Sequence, residues 1–153
     1  MMETAPLTMT WQPIKTTDAL KQAKEFLAAS GLPYEDLEVK TALILGGFDQ
    51  AEWVATAALE PHGDDWLLRS VAVVRRLRGR GIGKAGVRQL LEGPEVRSGK
   101  GVYLLTETAR DFFVQLGFQE IPRSQVPEAI AKSREFSTVC PQSAVLMKYS
   151  LWP

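Results

Sequence analysis

Val71-Ala72-Val73-Val74-Arg75-Arg76-Leu77-Arg78-Gly79-Arg80-Gly81-Ile82-Gly83-Lys84-Ala85-Gly86-Val87 is the stretch on which the reading of the whole chain turns. It begins as a strand and ends as a helix, in which Ile82, Ala85, Val87, Leu90 and Leu91 recur on one side until Gly93-Pro94 breaks the pattern. A strand that runs through Gly79, Gly81 and Gly83 into a helix brings backbone N–H groups to a helix N-terminus, where they can surround a phosphate. The side chains reinforce that field. Arg69, Arg75, Arg76, Arg78, Arg80, Lys84 and Arg88 fall between Arg69 and Leu91, and no acidic residue does.

Spacing narrows the kind of anion site. A Walker A loop needs Gly at the position of Arg78 and Ser or Thr at that of Ala85, so that reading fails. Gly81-Ile82-Gly83-Lys84-Ala85-Gly86 matches a dinucleotide fingerprint literally. Its context does not match. The preceding strand belongs to an antiparallel meander, Arg75 to Gly79 intervene, and Lys100-Gly101 stand where an acidic ribose partner is expected.

Upstream, Thr8 to Ile14 reads as a first strand, followed by a helix capped by Thr17 or Asp18. Its apolar face is Leu20, Ala23, Phe26 and Leu27, and Gly31 with Pro33 ends it. Ala42 to Phe48 and Trp53 to Leu59 form a hairpin, and the turn His62-Gly63-Asp64-Asp65 leads into Trp66 to Val74. Downstream come a strand at Val102 to Leu105, a short helix on Ala109, Phe112, Phe113 and Leu116, and a strand at Phe118 to Ile121. A helical excursion from Val126 to Phe136 and a last strand at Ala144 to Tyr149 follow. The order predicts an α/β (α+β) fold, with a mixed, mostly antiparallel sheet of six to seven strands flanked by helices. Phe112, Phe113, Phe118 and Trp66 sit at core spacing.

The 153 residues suit one domain over 1–153. No apolar run approaches the ~20 residues needed to cross a bilayer, and the N-terminus lacks a signal-peptide pattern. Eighteen basic residues balance eighteen acidic ones, so global charge gives no reason to expect nucleic acid or a membrane surface as partner. The lone Cys140 forms no intrachain disulfide, in keeping with a cytoplasmic protein, and reads best as a small buried hydrophobe. With a single His and no Cys pair, no metal site is expected.

Arg78-x-x-Gly81-x-Gly83 resembles the pyrophosphate-binding signature Q/R-x-x-G-x-G/A of the GNAT N-acyltransferase superfamily, between its fourth strand and the next helix. Ala109 to Phe118, ending Leu116-Gly117-Phe118, looks like that family's second motif helix. More narrowly, Leu67 to Val73, Tyr103 to Ala109, Glu135-Phe136, Cys140-Pro141 and Ser143-Ala144-Val145 are similar to the arsenic-resistance N-acetyltransferase branch. The resemblance implies acetyl-CoA as donor and a small primary amine, amino-acid-like or arsenical, as acceptor, with direct attack in a ternary complex. A protein or peptide amine acetyltransferase, or a degenerate acyl-CoA sensor, are the alternatives. A homodimer is a further family expectation.

By the same resemblance the amides of Arg80 to Lys84 face the pyrophosphate, with Arg78 and Gly79 in the same loop. Val71, Ala72 and Val73 flank the pantetheine, a strand-four N–H meets the thioester oxygen, and Thr106 and Phe112 complete the donor site. Arg75, Arg76 or Lys84 is left to meet the 3′-phosphate. Phe113 stands where many relatives have Tyr, and Thr106 where they often have Asn, so the thiolate leaves unassisted, or takes its proton from water or from another donor such as Tyr103, Ser143 or Cys140. Glu60, ahead of His62, is the candidate general base. Arg69, spaced with Leu67, Val71 and Val73, is expected to need an anionic partner. That partner is internal, Asp64 or Glu60, or else a substrate carboxylate; Ser143 is a second candidate substrate contact.

Overall fold

The computed structural model describes residues 7–133, 136 and 143–151. Seven strands form one sheet in the order β1-β2-β3-β4-β5-β7-β6: β1 Met9–Pro13, β2 Leu43–Asp49, β3 Glu52–His62, β4 Asp65–Val73, β5 Gly101–Thr106, β6 Gln119–Ile121 and β7 Val145–Ser150. All neighbours are antiparallel except β4 and β5, which run parallel across the connection containing α2 (Ile82–Leu91) and α3 (Pro94–Arg97). The expected meander is present. β3 extends three residues past Leu59 because Glu60, Pro61 and His62 pair with Leu67, Trp66 and Asp65.

α1 (Thr17–Ala29) begins one residue earlier than expected, since the Thr16 hydroxyl accepts from the Ala19 amide at 3.1 Å. It buries Ala23 and Leu27 on one sheet face, over Ile44 and Ala58. α2, α3 and α4 (Arg110–Gln115) cover the other face. There Val87, Leu90, Leu91, Val96 and Phe113 pack with Leu45, Ala57, Leu59, Leu68 and Leu104. Ahead of the helical excursion expected over 126–136, Arg123–Gln125 forms a 3₁₀ turn; within it α5 (Glu128–Ala131) sets Ile130 against Leu67, Tyr103 and Leu146, Phe136 is again helical, and residues 134 and 135 lie outside the described residues. Pro122 and Pro127 stand in extended conformation at the N-caps of the 3₁₀ turn and of α5 and keep the two apart.

Two irregularities position the site. The β3–β4 register shifts between Ala58↔Arg69 and Thr56↔Ala72, so Ala57 faces both Ser70 and Val71. Ser70 adopts φ 61° at this bulge. Val71 therefore turns toward the α2–α4 face, while Arg69 stays on the α1 face. The regular alternation of Leu67, Arg69, Val71 and Val73 read from the sequence is broken here. Second, β4 and β5 pair only at Asp65↔Gly101, Trp66↔Val102 and Leu67↔Tyr103, although β4 runs on to Val73 and β5 to Thr106. Past Leu67 the two strands are no longer paired, and a cleft opens between them.

Candidate active site

The cleft has a volume of about 1120 Å³. Leu68 to Val73 form one wall and Leu104 to Ala109 the other. One end is closed by Arg78, Gly79, Gly81, Ile82, Gly83 and Lys84, and Ser30 to Pro33, from the loop after α1, line it as well. The residues expected to hold an acyl donor are thus brought together, apart from Arg80, which is exposed and does not line the cleft.

The glycine loop is built for its place. Gly79 and Gly81 have φ of 81° and 80°, and Gly81 is the N-cap of α2. Ala85 makes the first helical hydrogen bond, to Gly81 O, leaving the amides of Ile82, Gly83 and Lys84 without an intrahelical acceptor. No acidic side chain sits in that first turn, so amides and dipole present positive potential. Arg78 Nε donates to Val73 O at 3.1 Å, tying the loop to the end of β4. A Cβ on Gly83 would lie 3.2 Å from Phe112 Cζ, so glycine lets α2 come close to the cleft-lining ring of α4. Of the three candidates for a 3′-phosphate, Lys84 alone lines the cleft, where Nζ bonds Gln115 Oε1; Arg76 bonds Glu52.

At the C-terminal end of β5, Thr106 Oγ1 accepts from the Ala109 amide at 3.0 Å, shaping the turn into α4. Phe113 is 7% exposed and makes edge contacts with Phe112 and Phe118 at centroid distances of 5.0 and 5.7 Å. It offers the cleft no hydroxyl. Tyr103, considered as a proton donor, is buried with Leu67 and Ile130 and is not on the cleft wall. Cys140 and Glu135 lie outside the described residues. Ser143 Oγ bonds Glu107 Oε1 at 2.6 Å, and Glu107 lines the cleft.

Arg69 is 3% exposed and its side chain is fully engaged within the protein. Nη1 donates to Asp36 Oδ2 at 2.6 Å and to Glu60 Oε2 at 3.0 Å. Nη2 donates to Asp36 Oδ1 at 2.8 Å and, at the limit of hydrogen bonding, to Pro33 O at 3.5 Å; Nε reaches Ser70 Oγ at 3.4 Å. All five guanidinium N–H groups have acceptors within the chain. Of the two partners expected, the structure contains the internal one, and it is Asp36 as well as Glu60. Asp64 instead approaches Lys100 at 3.7 Å. The second oxygen of Glu60, the candidate base, faces His62 Nε2 at 3.2 Å, and Glu60 is not on the cleft wall. A carboxylate held by Arg69 on one side and His62 on the other is poorly placed to take a substrate proton.

Sequence reasoning missed Asp36 and Glu107. Asp36 lies 33 positions from Arg69 in a short acidic loop, Glu35-Asp36, and no local pattern joins them. Glu107 carried a signal, an acidic residue directly after Thr106, that was not used. Among the described residues no cluster of His, Cys, Asp and Glu is arranged to hold a metal, and no helix is long and apolar enough to cross a membrane.

A sheet split between parallel strands, with the first turn of a helix lining the split, is an α/β architecture shaped to suit an extended, phosphate-bearing ligand. The chain belongs to the acetyltransferase (GNAT) family, whose model matches residues 11–118. Solved structures share the fold. Rv2747 from Mycobacterium tuberculosis, in complex with CoA and NLQ, superposes with a TM-score of 0.73 at 22% identity, over 92% of this chain and 98% of that one. N-acetylglutamate synthase from Neisseria gonorrhoeae, complexed with coenzyme A and L-arginine, gives 0.74 at 13% identity, over 97% of this chain but 34% of that one. A GNAT acetyltransferase from Staphylococcus aureus gives 0.72 at 14% identity, over 94% and 99%. Comparison with curated proteins gives no match.

Proposed function

We propose that this single-domain acetyltransferase moves the acetyl group of acetyl-CoA to the primary amine of a small molecule. The observation that carries the reading is that the glycine loop and the unpaired stretches of β4 and β5 open into one cleft. Pyrophosphate would lie on the amides of residues 80–84, and the pantetheine along Val71, Ala72 and Val73 in place of a neighbouring strand. Thr106 and Phe112 face it from the other wall. That CoA occupies two of the similar structures supports the donor assignment.

The reaction needs no covalent intermediate. The amine nitrogen attacks the thioester carbonyl, the C–S bond breaks, and the amine's extra proton and the thiolate's new one are exchanged with solvent. A thiol of pKa ~8.5 leaves without an obligatory acid, so Phe113 in place of Tyr is tolerable. The enzyme's contribution is near-attack geometry and an amide aimed at the developing oxyanion. Glu107, steadied by Ser143, places negative charge on the cleft wall, which favours a cationic amine.

The test is thiol release from acetyl-CoA against a panel of primary amines that includes amino acids, amino-acid-like arsenicals and a peptide amine. Turnover with small amines supports the reading. Tight donor binding with no acceptor used would replace it with an acyl-CoA sensor.

A further inference from the structure

Arg69 spans three segments that have no other reason to share a residue: the loop after α1 through Pro33 and Asp36, the end of β3 through Glu60, and the β4 bulge through Ser70. A position that only filled the core would hold an apolar side chain, as its neighbours Leu67 and Leu68 do. The bulge itself needs holding, because Ser70 sits at a positive φ that a residue with a Cβ avoids, and it is 9% exposed against the cleft. Pro33 and Ser70 both line the cleft, so the same guanidinium fixes two parts of its wall.

We propose that Asp36 and Arg69 form a positioning pair for acetyl transfer. Asp36 grips both terminal guanidinium nitrogens, and the oriented Arg69 locks the bulge so that the Val71 amide is held toward the thioester carbonyl. The bidentate geometry matters, since two parallel bonds fix direction as well as distance. This inference rests on the acetyl-CoA reading.

The test compares Asp36→Asn, Arg69→Lys and the milder Asp36→Glu with wild type by calorimetric affinity for acetyl-CoA and for CoA, thermal unfolding, and thiol-release kinetics. Wild type should bind acetyl-CoA several-fold tighter than CoA, as expected for one added hydrogen bond. The variants should lose that preference while CoA affinity, set at the glycine loop, stays within about twofold. Their kcat should fall on the order of a hundredfold, the scale of losing one oxyanion donor. Variants that melt earlier yet keep both the acetyl preference and kcat overturn the proposal, because Arg69 is then structural only. Wild type with no acetyl preference overturns it too. If wild type binds neither form, the donor reading falls first and takes this pair with it. Should Asp36→Asn not fold, Asp36→Glu, which keeps the charge and displaces the fork, gives the same readings.

Discussion

Glu60 and Asp65, five positions apart in the β3–β4 hairpin, have different surroundings. Glu60 serves Arg69 and His62, and an amide in its place keeps an acceptor for Arg69. Glu60→Gln should therefore keep turnover near wild type with the acid limb of the pH–rate profile unmoved. A loss of ~10²–10⁴-fold would restore it as the base. Burial pushes the Asp65 carboxyl above the ordinary carboxylate range, against the pull of Lys148 and Lys100. The folded state thus holds this proton more tightly than the unfolded chain. As pH rises from the ordinary carboxylate value through the raised one, this residue's contribution to stability is lost, and at neutral pH its charge opposes folding. Asp65→Asn should raise the melting temperature at pH 7, with the gain vanishing at acid pH; melting curves across pH check it.

At the scale of elements, the loop entering α2 combines two left-handed glycines with a helix start. A Cβ on Gly81 meets no atom within 4 Å, so Gly81→Ala costs strain and not clash. That strain is about 1–2 kcal/mol. If the loop relaxes to escape it, the amides leave their positions and CoA affinity falls, which calorimetry reads directly. This loop was legible in the sequence because glycine, arginine and helical period coincide within a few residues. The hairpins and α4 were legible for the same local reason. The bulge was not, since Ser70 carries no glycine signal for its positive φ. Nor was the insertion of β7 between β5 and β6, because strand order is decided by long-range pairing that leaves no periodic trace. Arg69 was read correctly as a buried cation needing an anion. Asp36 escaped because the choice among distant carboxylates belongs to the tertiary fold.

For the whole molecule, ligand and stability are linked. A donor that binds only the folded state at ~100 times its dissociation constant adds ~2.7 kcal/mol. For a chain of this size that corresponds to ~5–10 °C in melting temperature. A protein unmoved by saturating CoA would contradict the donor reading as directly as an absent reaction.

The parting of β4 from β5 has one more consequence. Among the described residues only three ladder pairs connect the half-sheet β1–β4 to the half-sheet β5–β7–β6, so the molecule carries a seam where its ladder of backbone bonds lacks rungs. A pantetheine arm, with amides of its own, would supply those rungs from outside the chain. The donor is then a temporary strand as well as a reactant. Bound, it stitches the two halves together. Once its acetyl group and thiol have gone their separate ways, the seam is left open again. Amide exchange along 68–73 and 104–106, fast without ligand and slowed by CoA, would record each stitching.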